Sequence, residues 1–419
     1  MTVVSELELP FLDYTDPELR GERFHDTVLG LADRGWLADS PLATLVFDRE
    51  AATFFLRTRS ATFPGQKIVE LFGIEDGPLR EEVDRNILHI NGADHRRLRN
   101  LVNPAFTPRA ADRWRPAMRT FLAELWEPLA ATERCEVVEQ LAKPYPALTI
   151  ATVMGAPRSD AGRLADWSNW IQRQFDGPSL MNDRARIEQA VEEFYDWADE
   201  LLTRRRTEPA DDLVSTLIAA EQEGDRLSDV ELVNLVLNVL VGGVDTTQSQ
   251  LAHALALFAR HPDQWALLAE RPELVPQAVE EVLRFEPITP FTARIMLEDV
   301  EYRDVTFPRD SVVMVCAFTA NRDPETIAEP GSFDITADRG SDKPLTFGAG
   351  IHYCLGANLA RAELQEALAF LAPRMPGLTL DGDPQYGSIT GIYGLDALPV
   401  SFEPRLSPSN DGQPTPHGP

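Results

Sequence analysis

One segment limits the fold of this chain more than any other. "LSDVELVNLVLNVLVGGVDTTQSQLAHALALFARHP", Leu227 to Pro262, reads as a single helix, opened by a capping box of Ser228 with Glu231 and closed before Pro262. At 1.5 Å per residue it runs roughly 45 Å, enough to cross a whole domain. Its longest uncharged apolar stretch, Leu232 to Val244, contains Asn234 and Asn238 and is well short of the roughly 20 residues a bilayer span needs, so it is not a membrane anchor. Two glycines, Gly242 and Gly243, sit in its middle, where each costs about 1 kcal/mol relative to alanine. The Thr246 hydroxyl can bond back to the carbonyl four residues earlier, that of Gly242, and open the helix locally. From these residues alone the opening is either a functional groove or a glycine packing contact.

Around this helix the early segments read as mixed, the middle as mostly helical, and the end as helix plus short strands. No Gly/Ser linker, low-complexity break or repeat divides them, so one domain is expected over residues 1–405. The Pro/Gly-rich tail leaves 406–419 as a disordered end. The net charge of −28 argues against nucleic acid or anionic lipid as a general partner. "MTVVSELELP" carries acids where a signal peptide has a basic region, and three cysteines at irregular spacing make no disulfide framework. A soluble cytoplasmic monomer is expected.

Cys316, in "SVVMVCAF", reads as a buried strand residue, and Cys135 has no ligand-like neighbours. Cys354 differs. It lies in "FGAGIHYCLGANLAR", Phe347 to Arg361, just ahead of apolar residues Leu359, Ala362, Leu364, Ala367, Leu368 and Leu371 at helical spacing. A helix start offers free N–H groups and partial positive charge, which favour a thiolate. Gly348, Gly350 and Gly356 let backbone and a flat ligand approach closely. Those features suit an axial ligand to haem iron, although a lone cysteine in such a turn fits a structural role as well.

The fifteen-residue string resembles the haem-binding signature of the cytochrome P-450 family, F-G-x-G-x-H-x-C-x-G-x-x-L-A-R, at every specified position. Other segments resemble the same family in the expected order between about residues 90 and 375. "GGVDTT" resembles its oxygen-binding groove, with Asp245 and Thr246 as the acid–alcohol pair. Glu281 and Arg284 resemble its buried E-x-x-R pair. The third partner of that pair is in doubt, because "FDITADRG" has Ala337 where an arginine is usual and Arg339 two residues later. His95, Arg99, Arg294 and His352 match positions that contact the haem propionates. "ANRDPE", Ala320 to Glu325, resembles a family turn.

The resemblance implies a mainly α fold with a smaller β-rich part built from N-terminal and C-terminal strands. It also implies a monooxygenase holding haem b (iron protoporphyrin IX), which takes electrons from NAD(P)H through a ferredoxin and its reductase and inserts one atom of O2 into a substrate. Cys354 would ligate the iron and favour O–O cleavage, Phe347 would tune the sulfur, and Gly356 would leave room beside it. The substrate pocket would draw on Phe63 to Ile90, Asn238 to Gly242, Thr289 to Thr292 and Ile389 to Leu395. Val241, Gly242, Thr289, Pro290, Phe291 and Ile392 imply a small-to-medium hydrophobic molecule. Asn238 either bonds a substrate oxygen or is satisfied within the fold. An H2O2-driven peroxygenase or a non-catalytic haem sensor would have no use for Asp245 and Thr246. Between His95 and Arg119, arginines outnumber acids seven to one, and Arg97, Arg109 and Arg113 are candidates for docking an acidic ferredoxin.

Overall fold

The computed structural model describes residues 1–222, 227–340 and 343–403; the expected tail, 406–419, lies outside them. The long segment is helical as expected, and Ser228 and Glu231 form the capping box. It is not one helix, however. Asp229–Gly243 and Asp245–Arg260 meet at Val244, whose φ/ψ of −99°/−68° departs from the helical run. The cause is local. Thr246 Oγ1 donates to the Gly242 carbonyl at 2.7 Å, drawing on the acceptor that the next turn would use, in a stretch with no side chains to stiffen it. A Cβ on Gly243 would lie 2.4 Å from Ile150 Cδ1, so the second glycine is where this helix meets Pro144–Met154. Nothing lies within 4 Å of a Cβ on Gly242. The two glycines thus serve different purposes.

Helices surround this axis on most sides. Ala161–Gln172 and Arg184–Thr207 pack over its first half, Pro144–Met154 lies under the junction, and Ala357–Leu371 crosses its second half. Their apolar faces merge into one large buried cluster, which contains all six periodic residues from Leu359 to Leu371. The 32 residues Asp229–Arg260 are apolar and long enough for a membrane crossing, but most of that stretch is buried inside the protein.

The β part is divided. A five-stranded sheet runs in the order Leu37–Asp39, Thr44–Val46, Val312–Cys316, Phe291–Met296, Ala61–Thr62. Thr44–Val46 pairs parallel with Val312–Cys316, and the other neighbours are antiparallel. The C-terminal strand Pro399–Ser401 does not join it, pairing instead with Arg134–Glu136 and Thr379–Leu380. Cys316 and Cys135 are both buried strand residues, and burial pushes their thiols up to about 11 and about 12. Strand alternation puts Phe291 on the opposite face from Arg294. Phe291 packs edge-on to Phe24 in a smaller cluster with Phe318.

Candidate active site

The loop before Ala357–Leu371 is closed by the Cys354 N–H donating to the Phe347 carbonyl at 2.9 Å. Gly348 and Gly350 have φ of +69° and +75°. A Cβ on Gly350 would lie 2.7 Å from the Leu56 carbonyl oxygen, so this loop sits directly on the helix Arg49–Arg57. Gly356 caps the helix, which places Cys354 two residues ahead of the cap rather than within the first turn. Cys354 is half-buried. Burial pushes its thiol up, while hydrogen bonds from the Gly356 and Ala357 N–H groups and the charges of Arg99 and Arg361 favour the thiolate. Arg361 lies 4.6 Å above the Phe347 ring and is paired with Glu280, which holds that ring in place.

His95, Arg99, Arg294 and His352 converge beside this loop from three separate parts of the chain. The rings of His95 and His352 are 4.6 Å apart. Burial, followed by the charges of His95, Arg294 and Arg99, pushes His352 down to about 3. Arg294 is 4% exposed, and its hydrogen bond among the described residues runs to the carbonyl of its neighbour Ala293. Arg99 bonds only neutral oxygens, those of Asn103 and Tyr353. Burial holds both histidines in their neutral forms, and the two cations, Arg99 and Arg294, have no carboxylate partner among the described residues, although a buried cation without an anion is costly. The arrangement therefore asks for a dianion. Two haem propionates supply that charge, and the sulfur stands a few residues away, so these side chains fit the group.

On the central helix, Asp245 Oδ1 accepts from Asn169 Nδ2, and the same amide reaches Gln248 Oε1 at 3.3 Å. Burial pushes the Asp245 carboxyl up to about 7, with Asn169 and Arg173 acting in the opposite direction. Asp245 and Thr246 thus stand side by side at the break, next to the open face of Gly242. Glu363 lies behind them, 1% exposed, its Oε2 accepting from Thr247 Oγ1 at 3.4 Å. Neither Asn169 nor Glu363 was legible as part of the site: Asn169 is one polar residue of Ala161–Gln172, and Glu363 lies among the apolar positions that mark the helix after Cys354.

Glu281 holds Arg284 with two hydrogen bonds of 2.8 Å. Arg339 completes the group, bonding the same carboxylate at 2.7 and 3.1 Å. The displaced arginine therefore reaches the expected place, while Ala337 contributes backbone alone, its carbonyl accepting from Gln277 and its N–H donating to the Asp334 carbonyl. From the turn resembling "ANRDPE", Asn321 bonds Leu345 N and Thr346 Oγ1, fastening the ligand loop to this group.

Of the expected pocket residues, Asn238 and Gly242 lie one turn apart on Asp229–Gly243, ahead of the break at Val244. Thr289 and Ile392 are half-buried, Pro290 is buried, and Val241 belongs to the main apolar cluster. The arginines of the basic island mostly meet acids from other segments. Arg97 pairs with Glu231, Arg113 with Asp211, Arg115 with Asp112 and Glu366, and Arg119 with Glu366. Exposed Arg109 and Arg96 keep no carboxylate among the described residues.

A sulfur with backbone donors, a cradle for two propionates and an acid–alcohol pair at a helix break together define a haem-binding oxygenase site. The cytochrome P450 family pattern matches residues 65–271 and 264–371, and the chain belongs to that family. The chain is 38% identical over 408 residues to luteothin monooxygenase of Streptomyces thioluteus, covering 96% of this chain and 98% of the relative. The solved structure of CalO2 superposes with a TM-score of 0.87 at 33% identity, covering 94% of this chain and all of that one. P450BioI, solved with a fatty acyl-carrier protein, gives 0.83 at 28% identity, covering 91% and 99%. This protein is a haem-dependent monooxygenase, an oxidoreductase.

Proposed function

We propose that the protein oxidises a small-to-medium, largely apolar molecule in the cytoplasm, with electrons from NAD(P)H delivered by a ferredoxin and ferredoxin reductase. Haem b supplies oxygen activation when bound. Cys354 would hold the iron, with the Gly356 and Ala357 N–H groups opposing the effect of burial on the sulfur. His95, Arg99, Arg294 and His352 take the propionates and so orient the ring. Phe347, fixed by Arg361, keeps water from the sulfur. Asp245 accepts a proton from the interior and passes it on beside Thr246, whose hydroxyl is oriented by the Gly242 carbonyl.

The single observation that carries a monooxygenase rather than a peroxygenase is the Asp245–Thr246 pair at the helix break, adjoining the open Gly242 face. A site fed by H2O2 brings both oxygens and their protons with it and needs no such pair. The test compares turnover with NADH, ferredoxin and reductase against H2O2 alone. Turnover only in the first system is expected; equal rates with H2O2 would overturn the reading. In parallel, Cys354→Ser should abolish the strongly red-shifted band of the ferrous carbon monoxide complex, because a hydroxyl is a far weaker donor to iron than a thiolate.

A further inference from the structure

We propose that Arg361 raises the reduction potential of the iron held by Cys354, by setting an incompletely offset positive charge beside the sulfur, and that Glu280 determines how much of that charge is felt. This rests on the reading of Cys354 as the iron's ligand.

Arg361 ends the string that begins at Phe347, seven residues after Cys354, in the second turn of Ala357–Leu371. A helical side chain leans toward the N-terminus, so Arg361 reaches back over the ligand loop. There its guanidinium lies 4.6 Å from the centre of the Phe347 ring and donates to Tyr353 Oη at 3.3 Å. Tyr353 directly precedes Cys354, whose N–H bonds the Phe347 carbonyl, so both neighbours of the guanidinium belong to the sulfur's own loop. Among the described residues Arg361 donates to Tyr353 and Glu280. Its charge therefore reaches the sulfur through space, where it favours the thiolate over the thiol.

Glu280, on Val275–Phe285, meets the guanidinium in a two-pronged pair, with Nη2 donating to Oε2 at 3.0 Å and Nε to Oε1. A pair shielded equally at both ends would be nearly silent at the sulfur. This one is unequal, because the Arg361 side chain is 15% exposed and that of Glu280 37%. Water screens the outer carboxylate more than the inner guanidinium. Glu281 and Arg284, on the same helix, show the contrast: at 2% and 3% exposure both charges are shielded alike. Arg99, the other cation near the sulfur, is offset by the propionates it takes in the proposed site. The field left over from Arg361 favours ferrous iron, because it attracts the added electron. Unlike a further hydrogen bond to the sulfur, it occupies no lone pair, so the thiolate keeps its strength as a donor.

The test measures the ferric–ferrous midpoint potential of the purified, substrate-free holoenzyme by spectroelectrochemistry, in the native protein and in Arg361→Gln, Arg361→Lys, Glu280→Gln and the double variant Arg361→Gln/Glu280→Gln. Arg361→Gln should shift the reduction equilibrium about tenfold toward ferric iron, which is about 59 mV for one electron. Glu280→Gln should shift it about two- to threefold the other way, and the double variant should fall between the two single ones. Arg361→Lys keeps the charge without the fork and should stay within about twofold of the native protein. Shifts of the two single Gln variants in the same direction would mean that the pair only holds the loop in shape, and would overturn the proposal, as would potentials that do not move. Glu280→Gln exchanges one atom on a partly exposed side chain, so the sign of its shift is decisive even where Arg361→Gln binds haem poorly. The ferrous carbon monoxide band of the native protein reports on Cys354 separately: a band without the strong red shift would overturn the ligand reading, whatever the variants do to the potential.

Discussion

A threonine and an aspartate side by side are unexceptional until their partners are known. The Thr246–Gly242 bond was legible in the sequence because it is local, four residues apart on one helical stretch. Asn169 was not, because 76 residues separate it from Asp245 and only the packing of two helices joins them. Thr246→Ala should leave NADH and O2 consumption largely intact and divert the electrons to free H2O2, which an assay of peroxide against product will show; full coupling to product would count against the hydroxyl's role. Asp245 also makes a stability prediction. Its folded value of about 7 lies above the unfolded value near 3.9, so folding takes up a proton between those limits. The neutral carboxyl is fully tolerated below about pH 4, and stability is lost as pH rises toward 7. The isosteric Asp245→Asn loses that slope. In urea unfolding, the variant should therefore gain roughly 2–4 kcal/mol on the native protein between pH 4 and pH 8; parallel pH profiles would show that Asp245 is ionised in the fold.

At the scale of elements, the buried charges show why spacing alone misled. Glu281 and Arg284 at i,i+3 look like any surface pair, and nothing local says that they are 3% and 2% exposed. What identifies them is Arg339, which arrives from a loop 58 residues away in sequence and completes the carboxylate's hydrogen bonds. Arg284→Ala would leave Glu281 buried with a single cation and should cost about 3–5 kcal/mol in urea unfolding. Arg339→Ala, whose side chain is 15% exposed, should cost about 1–3 kcal/mol. The reverse order would mean that Arg339, not Arg284, is the main partner. The central helix carries a similar lesson. Its length, cap and end were readable from pattern. Its division at Val244 was not, because one threonine bond shows where a helix opens without showing whether it continues unbroken.

For the whole molecule, charge is the readable property and its placement is not. A net charge of −28 is a count; that the arginines from Arg97 to Arg119 mostly meet acids from other segments is a property of the fold. Within that island the exposed arginines without a carboxylate among the described residues are Arg96 and Arg109, and these are the ones an acidic donor of the proposed kind would meet. Arg109→Glu should slow ferredoxin-supported reduction several-fold at low ionic strength, and the difference from the native protein should shrink as salt rises. Stopped-flow reduction at two salt concentrations measures both. Equal rates at both, with the variant matching the native protein, would move docking elsewhere.

The parallel pairing of Thr44–Val46 with Val312–Cys316 also bears on how the chain is made. A ribosome adding about 5–20 residues per second takes roughly 15 to 50 s to travel from one strand to the other. During that time the early strands have no partner for their edge. The loop carrying Cys354 emerges later still, and it rests on the backbone of Leu56, long since synthesised. Haem capture is therefore a late event, completed only when nearly all of the chain has left the ribosome, and cells short of haem should accumulate whole apoprotein rather than stalled fragments.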